Sequence, residues 1–341
     1  TRPRNTQQLG RRSKMPSTPD AAAASPATAA AQAPLPRNEG LVDGTPKMGF
    51  AERLILAAPD TVITVCLLII PLIIVLLYSV WTTDATTLTV APPFTLDNFA
   101  SILQPIYLQA LGRSLWITLV TVVGCILLGF PIAYFISQSP NKLQIVLLLA
   151  IMIPFWTSFV VRTYAWLTLL APDGMVNNWL VSLHLIAAGT DLRYSQTAIC
   201  IGMIYSYLPM MILPLYATLE KLDTNLLAAA ADLGKSPVRT FFQVVVPQAK
   251  GGIAAGCLLV AIPALGEYTI PAILGGGKTL MIGNVIASEF TTTGDYSRGA
   301  ALAAILLIIV LLVIAATQIA QRVAAKRARE AALKATQEEK Q

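Results

Sequence analysis

Residues 226–247 read LLAAAADLGKSPVRTFFQVVVP, a polar stretch that stands between two long apolar segments. Leucine and alanine favour helix, glycine commonly follows a helix C-terminus, and proline is common in the first turn of a helix. The sequence therefore predicts a short helix near Leu226–Leu233 that ends at Gly234, then the turn Lys235–Arg239, with a restart at Pro237. A structured loop of this kind between membrane helices is a site on which a soluble motor protein can exert force.

The composition is that of a polytopic membrane protein. Of 341 residues, 55% are hydrophobic and only 12% are charged, whereas soluble domains have about 25% charged residues. An apolar stretch of about 20 residues is long enough to cross a bilayer. The sequence predicts an all-α fold with six transmembrane helices, at about 61–81, 112–137, 143–170, 197–219, 252–273 and 299–320.

The distribution of Lys and Arg predicts the orientation of these spans. Nineteen of them lie in the N-terminal tail, the 138–142 turn, the 220–251 loop and the tail after Gln321. The alternate loops hold only Arg113, Arg193, Lys278 and Arg298. Because cytoplasmic loops carry the excess of positive charge, both termini and the 220–251 loop are expected in the cytoplasm. Basic residues do not cluster with aromatic residues on a soluble face, so no nucleic-acid partner is expected.

Three regions follow from these patterns. Residues 1–53 are rich in Ala, Pro, Ser and Thr and have little to bury, so they are expected to form a disordered cytoplasmic tail. Residues 54–321 are expected to form the membrane domain, and residues 322–341 a basic cytoplasmic tail.

No metal, cofactor or catalytic site is predicted for this chain. The four cysteines lie singly in four different predicted spans, without the spacing of metal or redox sites. The single histidine, His184, lies on an amphipathic run, Met175 to Ile186, that is expected to rest along the membrane surface. The stretch 275–279, GGGKT, looks like the end of a phosphate-binding loop, but Ala272 stands where its first glycine would be. We interpret it as a tight turn.

Two charges fall deep inside predicted spans. Arg162 lies in PFWTSFVVRTYAW (154–166) and Glu267 in PALGEYTIP (263–271). A charge in hydrocarbon costs about 3 kcal/mol or more, so both side chains should point inward. At about 1.5 Å per residue they fall within about one helical turn of the same depth. Three interpretations stay open: an Arg162–Glu267 ion pair, Arg162 bound to backbone carbonyls, or Glu267 lining a cation path.

Prolines and tyrosines surround this depth. Pro263 and Pro271 flank Glu267, and each removes a helical N–H donor and so frees a backbone carbonyl. Ordinary proline kinks are one interpretation. The other is a path for an ammonium-bearing solute, which carbonyls, tyrosine rings and a carboxylate would all suit. The residues predicted for this path and its outer gate are Tyr205, Tyr207, Glu267 and Tyr268.

The 220–251 loop resembles the cytoplasmic loop of ABC-importer permeases. The pattern of that family is Glu-Ala-Ala, three residues, Gly, nine residues, then Ile-x-Leu-Pro. Residues 228–230, Gly234 and residues 244–247 match its spacing, but Ala228 stands where the family has Glu, so any contact of that Glu is absent. The resemblance implies a helix that couples to an ATPase through Ala228, Ala229, Ala230, Asp232, Gly234, Lys235, Pro237 and Pro247.

Segments 154–166, 203–216, 263–276 and 281–290 resemble, in the same order, the first permease subunit of spermidine/putrescine-type ABC importers. The likeness runs from about Pro59 to Gln321. It implies a non-catalytic subunit in the bacterial inner membrane, in contact with lipid, that forms half of the pathway for a polyamine-like cation. The implied partners are a second, similar permease, a dimer of ABC ATPases that binds the ATP, and a periplasmic binding protein that delivers the solute.

Two alternatives to this function remain at this point. The same class of importer also carries other small amines and amino-acid-like solutes. An ion-coupled secondary transporter belongs to a different class, and it usually has acidic residues in broken helices within paired repeats. One intramembrane Glu and the lack of a detectable repeat argue against it.

Overall fold

A computed structural model describes residue 58, residues 62–84 and residues 87–338. The predicted disordered tail, 1–53, lies outside these residues. Contacts divide the chain into two units, Thr1–Ile63 and Thr64–Gln341. Of the first unit only residues 58, 62 and 63 are described, so the architecture below is that of the second.

The regular secondary structure of the described residues is helical apart from one short hairpin, in which β1 (Thr82–Thr83) pairs antiparallel with β2 (Val90–Ala91). The helices, in chain order, are α1 Val62–Ser79, α2 Asp97–Ser101, α3 Pro105–Ser137, α4 Asn141–Met152, α5 Phe159–Leu169, α6 Met175–Ser182, α7 Gln196–Leu219, α8 Thr224–Asp232, α9 Pro237–Gln248, α10 Lys250–Leu265, α11 Thr269–Leu274, α12 Ile282–Ser288 and α13 Tyr296–Glu338. A 3-10 turn, Ile153–Trp156, follows α4, and a π-helical turn, Glu289–Thr293, follows α12.

The described structure has four helices that are long and apolar enough to cross a membrane, and two bent pairs of helices. Five of the six predicted spans match the single helices and the first bent pair, whereas the second bent pair begins in the predicted 220–251 loop and ends within the predicted span 252–273. The four single helices are α1, α3, α7 and the part of α13 up to Val323. The bent pairs are Asn141–Trp156 with α5, at 94°, and α9 with α10, at 67°. The count of six holds if each bent pair is one span.

The third and fifth spans are therefore not the continuous helices that the sequence predicts. In the third, the 3-10 turn ends at Thr157, whose backbone is extended, and α5 starts anew at Phe159. In the predicted span 252–273, α10 ends at Leu265 and α11 begins at Thr269. Glycine at 266 is a poor helix former, and Pro271 has no N–H to donate back to residue 267. Residues 266–268 are called the Glu267 break below.

The core lies where α3 packs along α7 and both contact α10. Its fully buried side chains include Ile117, Cys125, Met203, Met211 and Val260. In contrast, α1 packs on α13 and leaves most of its apolar side chains exposed. Apolar surface of this extent is covered by lipid or by another protein.

Helix α13 is longer than the predicted sixth span. It continues past Gln321, where the basic tail was expected to begin, to Glu338. An ion pair between Lys326 and Glu330, one helical turn apart, lies on this extension. Helix α6 occupies most of the run that was expected to lie along the membrane surface.

Candidate functional site

The 220–251 loop begins with α8, and the cap of this helix is the one that the sequence predicts. The N–H of Lys235 donates to the carbonyl of Ala230 at 3.1 Å, and the N–H of Gly234 donates to that of Ala231 at 2.8 Å. Gly234 has φ of +70°. This pair of bonds is the Schellman motif, whose left-handed residue is usually glycine because it has no Cβ. The prediction of a helix that ends at Gly234 is confirmed.

The chain then restarts and is anchored to the bundle. Ser236 Oγ accepts a hydrogen bond from the N–H of Arg239 at 3.4 Å, and Pro237 is the first residue of α9. The ring of Phe241 makes edge-to-face contacts with Phe130 and Tyr134 near the end of α3, at centroid distances of 5.2 and 5.8 Å. These contacts fix the loop against α3.

The loop nevertheless exposes large apolar side chains. The exposed fractions are 45% for Leu226, 79% for Leu233, 68% for Val238 and 63% for Phe242. Most of the predicted ATPase-coupling residues are exposed as well; Ala230 is buried and Lys235 is half-buried, and the exposed ones are Ala228, Ala229, Asp232, Gly234, Pro237 and Pro247.

Glu267 lies in the break between α10 and α11 and is only 9% exposed. The hydroxyl of Tyr207, on α7, donates to its Oε2 at 2.5 Å. The N–H groups of Thr269 and Ile270 donate to its Oε1 at 2.8 and 3.2 Å. The carboxylate therefore satisfies backbone donors of the first turn of α11, which have no partner within the helix. It also joins α11 to α7.

The start of α12 closes the other side of the break. A Cβ on Gly283 would lie 2.6 Å from the carbonyl oxygen of Gly266, so only glycine allows this approach. The side-chain amide of Asn284 donates to the carbonyl of Tyr268 at 2.8 Å. Asn284 was not among the predicted site residues, although a lone amide inside an apolar stretch is a signal for such a role.

Arg162 does not pair with Glu267. Its Nη1 donates to the carbonyl of Pro154 at 2.9 Å, and its guanidinium lies 4.7 Å from the ring centroid of Phe155 and 5.5 Å from that of Phe159. No ion pair joins Arg162 and Glu267 within the described residues. The ion-pair interpretation is corrected for a physical reason: the break at 157–158 frees carbonyls beside the arginine. The interpretation in which Arg162 binds backbone carbonyls matches the structure.

The four residues predicted for the solute path do not form one cluster. Tyr207 and Glu267 are bonded to each other, whereas the half-buried ring of Tyr205 packs edge-to-face on Trp166 at 5.3 Å. Tyr268 is 55% exposed. Its side chain lines an apolar groove of about 430 Å³, whose other lining residues are Gly266, Gly283, Ile286, Ala287, Ala303, Leu306, Leu307 and Val310.

A second buried carboxylate, which the sequence analysis missed, lies at the end of α12. Glu289 is 6% exposed, and the hydroxyl of Tyr107 donates to its Oε1 at 2.9 Å. Its Oε2 is buried without a hydrogen-bond partner in the described chain. Arg298 interacts electrostatically with Glu289 but makes its ion pair with Asp295, at 2.9 Å. Within the described residues, no three His, Cys, Asp or Glu side chains converge as metal ligands would.

Comparison with known proteins identifies the family. Residues 57–330 match the model of the binding-protein-dependent transport system inner membrane component family. The spermidine/putrescine transport system permease protein PotB of Salmonella typhimurium (strain SL1344) is 41% identical over 208 residues, 61% of this chain and 72% of that protein. PotB of Haemophilus influenzae is 38% identical over 234 residues, 69% of this chain and 82% of that protein.

A solved structure shows the same fold. The crystal structure of a bacterial ABC transporter involved in the import of the acidic polysaccharide alginate superimposes with a TM-score of 0.58 at 16% identity, over 79% of this chain and 96% of that one. The chain belongs to the binding-protein-dependent transport system inner membrane component family. It is a permease subunit of an ABC importer and not itself an enzyme. The alternative of an ion-coupled secondary transporter is therefore set aside.

Proposed function

We propose that this chain forms half of the membrane path for a small cation of the spermidine/putrescine kind. The observation that carries the solute class is the similarity to two permeases named for spermidine and putrescine transport, at 41% and 38% identity. A second, similar permease supplies the other half of the path in the bacterial inner membrane. The excess of Lys and Arg in the tails and the 220–251 loop supports a cytoplasmic location for these segments.

The groove beside the Glu267 break suits a polyamine. Such a solute has ammonium groups joined by short methylene chains, and the groove of about 430 Å³ is lined mainly by apolar side chains and glycine. The exposed ring of Tyr268 offers cation–π attraction to an ammonium group. Both oxygens of Glu267 already accept hydrogen bonds from this chain. The carboxylate therefore acts on the solute through its charge and by holding the break in shape.

The 220–251 loop is the site at which the transporter is driven. Leu226, Leu233, Val238 and Phe242 are exposed on this loop, and a groove on an ATPase subunit would cover them, as amphipathic helices are covered elsewhere. Two ATPase subunits bind the ATP, and this chain needs no cofactor of its own. Closure of the ATPase dimer draws the loops of the two permeases together, and the path opens toward a periplasmic binding protein that releases the solute.

Transport by the reconstituted complex tests the solute class. We expect ATP-dependent uptake of labelled putrescine and spermidine into proteoliposomes that contain this chain, its partner permease, the ATPase and the binding protein. The neutral diol 1,4-butanediol, which has about the length of putrescine without its charges, should not compete with putrescine for uptake. Uptake of an amino acid or another amine, with no transport of or competition by polyamines, would contradict the proposal.

A further inference from the structure

The proposed outer side of the bundle carries four basic residues, and the structure divides them into two kinds. Arg193 and Arg298 each bind an aspartate two or three residues away, at N–O distances of 2.8 and 2.9 Å. Arg113 and Lys278 have no acidic side chain within ion-pair distance in the described part of the chain. Within the described residues, two of the four outer cations therefore form no ion pair.

These two cations line the same cleft. Its volume is about 150 Å³, and Gln109 and Leu280 line it beside Arg113 and Lys278. Arg113 is half-buried, and its Nη1 donates to the carbonyl of Leu280 at 3.4 Å, while Lys278 is exposed. Two like charges in one small cleft repel each other unless an anion lies between them. The cleft is thus suited to bind an anionic group.

Asp191 is the acidic group whose field reaches Lys278, but it is bound to another residue. Arg193 donates to both of its carboxylate oxygens, from Nε at 2.9 Å and from Nη2 at 2.8 Å. These hydrogen bonds hold the pKa of Asp191 below its usual range. The aspartate therefore stays ionised and bound to Arg193, and it leaves the charge of Lys278 available to an anion from outside the chain.

We propose that the cleft between Arg113 and Lys278 binds a carboxylate side chain of the periplasmic binding protein. This inference rests on the proposed function, because it gives the delivering protein a contact point. A guanidinium can hold a carboxylate through two parallel hydrogen bonds, and an ammonium adds a point charge. Lys278 follows two left-handed glycines, Gly276 and Gly277, at the exposed tip of a turn. An arriving protein reaches such a tip more directly than a lipid headgroup does.

The cleft is also joined to the Glu267 break. Ser114, next to Arg113, accepts a hydrogen bond at 2.7 Å from the N–H of Ile282, the first residue of α12. The next two residues, Gly283 and Asn284, contact the break. A carboxylate held between Arg113 on α3 and Lys278 just before α12 thus acts on the two elements that meet beside the solute path.

The test measures docking in the intact transporter held in nanodiscs. The variant Arg113→Gln/Lys278→Gln should raise at least tenfold the concentration of solute-loaded binding protein that half-maximally stimulates ATP hydrolysis. It should also flatten the dependence of that concentration on salt, because fewer charge contacts are screened. The double variant Asp191→Asn/Arg193→Gln is the matched control, since it removes an outer cation together with the aspartate that pairs with it, and it should change neither quantity by more than twofold.

Two outcomes would overturn the proposal. One is an unchanged half-maximal concentration and salt dependence in the double variant. The other is unchanged docking with loss of bound phosphatidylglycerol, seen by native mass spectrometry, which would assign the cleft to a lipid phosphate. If the double variant does not assemble, Lys278→Gln alone decides, because this exposed side chain makes no hydrogen bond within the described residues. Absence of polyamine uptake with weakened docking would refute the solute class and leave this inference standing.

Discussion

The 220–251 loop and the Glu267 break both interrupt the run of membrane helices, yet they are completed in different ways. In the loop, local hydrogen bonds at Gly234 and Ser236 cap the helix ends, while large apolar side chains stay exposed. In the break, polar groups accept hydrogen bonds from side chains of other helices, Tyr207 on α7 and Asn284 on α12. The exposed apolar side chains of the loop need a second protein to cover them, whereas the polar groups of the break find their hydrogen-bond partners within this chain.

This difference separates two kinds of variant. A change in the loop should impair coupling and leave the folded subunit intact, because its side chains have few partners here. A change in the break should lower the stability of the subunit and disturb the path together, because an unpaired buried polar group costs about 1–3 kcal/mol.

The largest effect is expected from Gly234→Val. A β-branched residue is strained at the φ of +70° that the helix cap requires. We expect ATP-driven uptake to fall more than tenfold while ATP hydrolysis continues and the complex still assembles. Uptake into proteoliposomes, ATPase rates and size-exclusion chromatography measure these three quantities.

Gly251→Val is the matched control for this variant. Gly251 lies in the first turn of α10, has an ordinary helical φ and has open space where a Cβ would be placed. Its uptake should stay near that of the wild type. Normal uptake by a correctly assembled Gly234→Val complex would show that the cap of α8 has no part in coupling.

Next in size is the loss of the hydrogen bond at the break. Tyr207→Phe leaves Oε2 of Glu267 buried without the hydroxyl that now donates to it. A hydrogen bond to a charged group contributes about 1.5–3 kcal/mol, so thermal unfolding of the complex should occur at a lower temperature and uptake should fall severalfold. Tyr205→Phe removes a hydroxyl from the same helix and keeps the ring contact with Trp166. Equal effects of the two variants would contradict the assigned bond.

A smaller effect is expected at the second buried carboxylate. Tyr107→Phe removes the one hydrogen bond that Glu289 accepts in the described structure. The neighbouring guanidinium of Arg298 can turn toward the freed carboxylate, so we expect a stability loss of about 1 kcal/mol by thermal unfolding. Tyr296→Phe, which keeps the ring contact with Phe290, is the control and should have no effect. An equal loss of stability in both variants would show that the hydrogen bond from Tyr107 to Glu289 makes no specific contribution.

The contrast between the two regions also explains what the sequence reveals. The cap at Gly234 depends on neighbours within six residues, so glycine and proline at the right spacing predict it. The partners of Glu267 depend on which helix faces which, and Tyr207 lies sixty residues away. The sequence placed Arg162 and Glu267 at a similar depth and suggested a pair. The depth of a residue along a helix does not tell toward which side of the helix its side chain points. Because the helix is broken at 157–158, Arg162 donates a hydrogen bond to the carbonyl of Pro154 instead.

A smaller effect still is expected from combining changes at Arg162 and Glu267. Because these side chains form no ion pair, the stability losses of Arg162→Ala and Glu267→Gln should add within about 0.5 kcal/mol. The combination of Tyr207→Phe with Glu267→Gln should deviate from additivity by 1 kcal/mol or more in a thermal-unfolding cycle, since these groups touch. If Glu267→Gln restored the stability lost in Arg162→Ala, the two side chains would form an ion pair in at least one state of the transporter.

The smallest effect is expected at the exposed pair of Asp191 and Arg193. Hydrogen bonds from Arg193 lower the pKa of Asp191 in the folded chain. The pair therefore contributes to stability above the pKa of a free aspartate, about 3.9, and loses that contribution as the pH falls through the lower folded value. Since water screens both groups, Asp191→Asn should leave thermal unfolding at pH 7 unchanged. In the wild type, the carboxyl of Asp191, followed by NMR, should titrate below the ordinary aspartate range. Titration at or above that range would mean that Arg193 does not hold this carboxylate, and Asp191 would then be free to neutralise Lys278. The exposed pair of Asp191 and Arg193 thus has almost no effect on stability. Its consequence is that Asp191 does not neutralise Lys278.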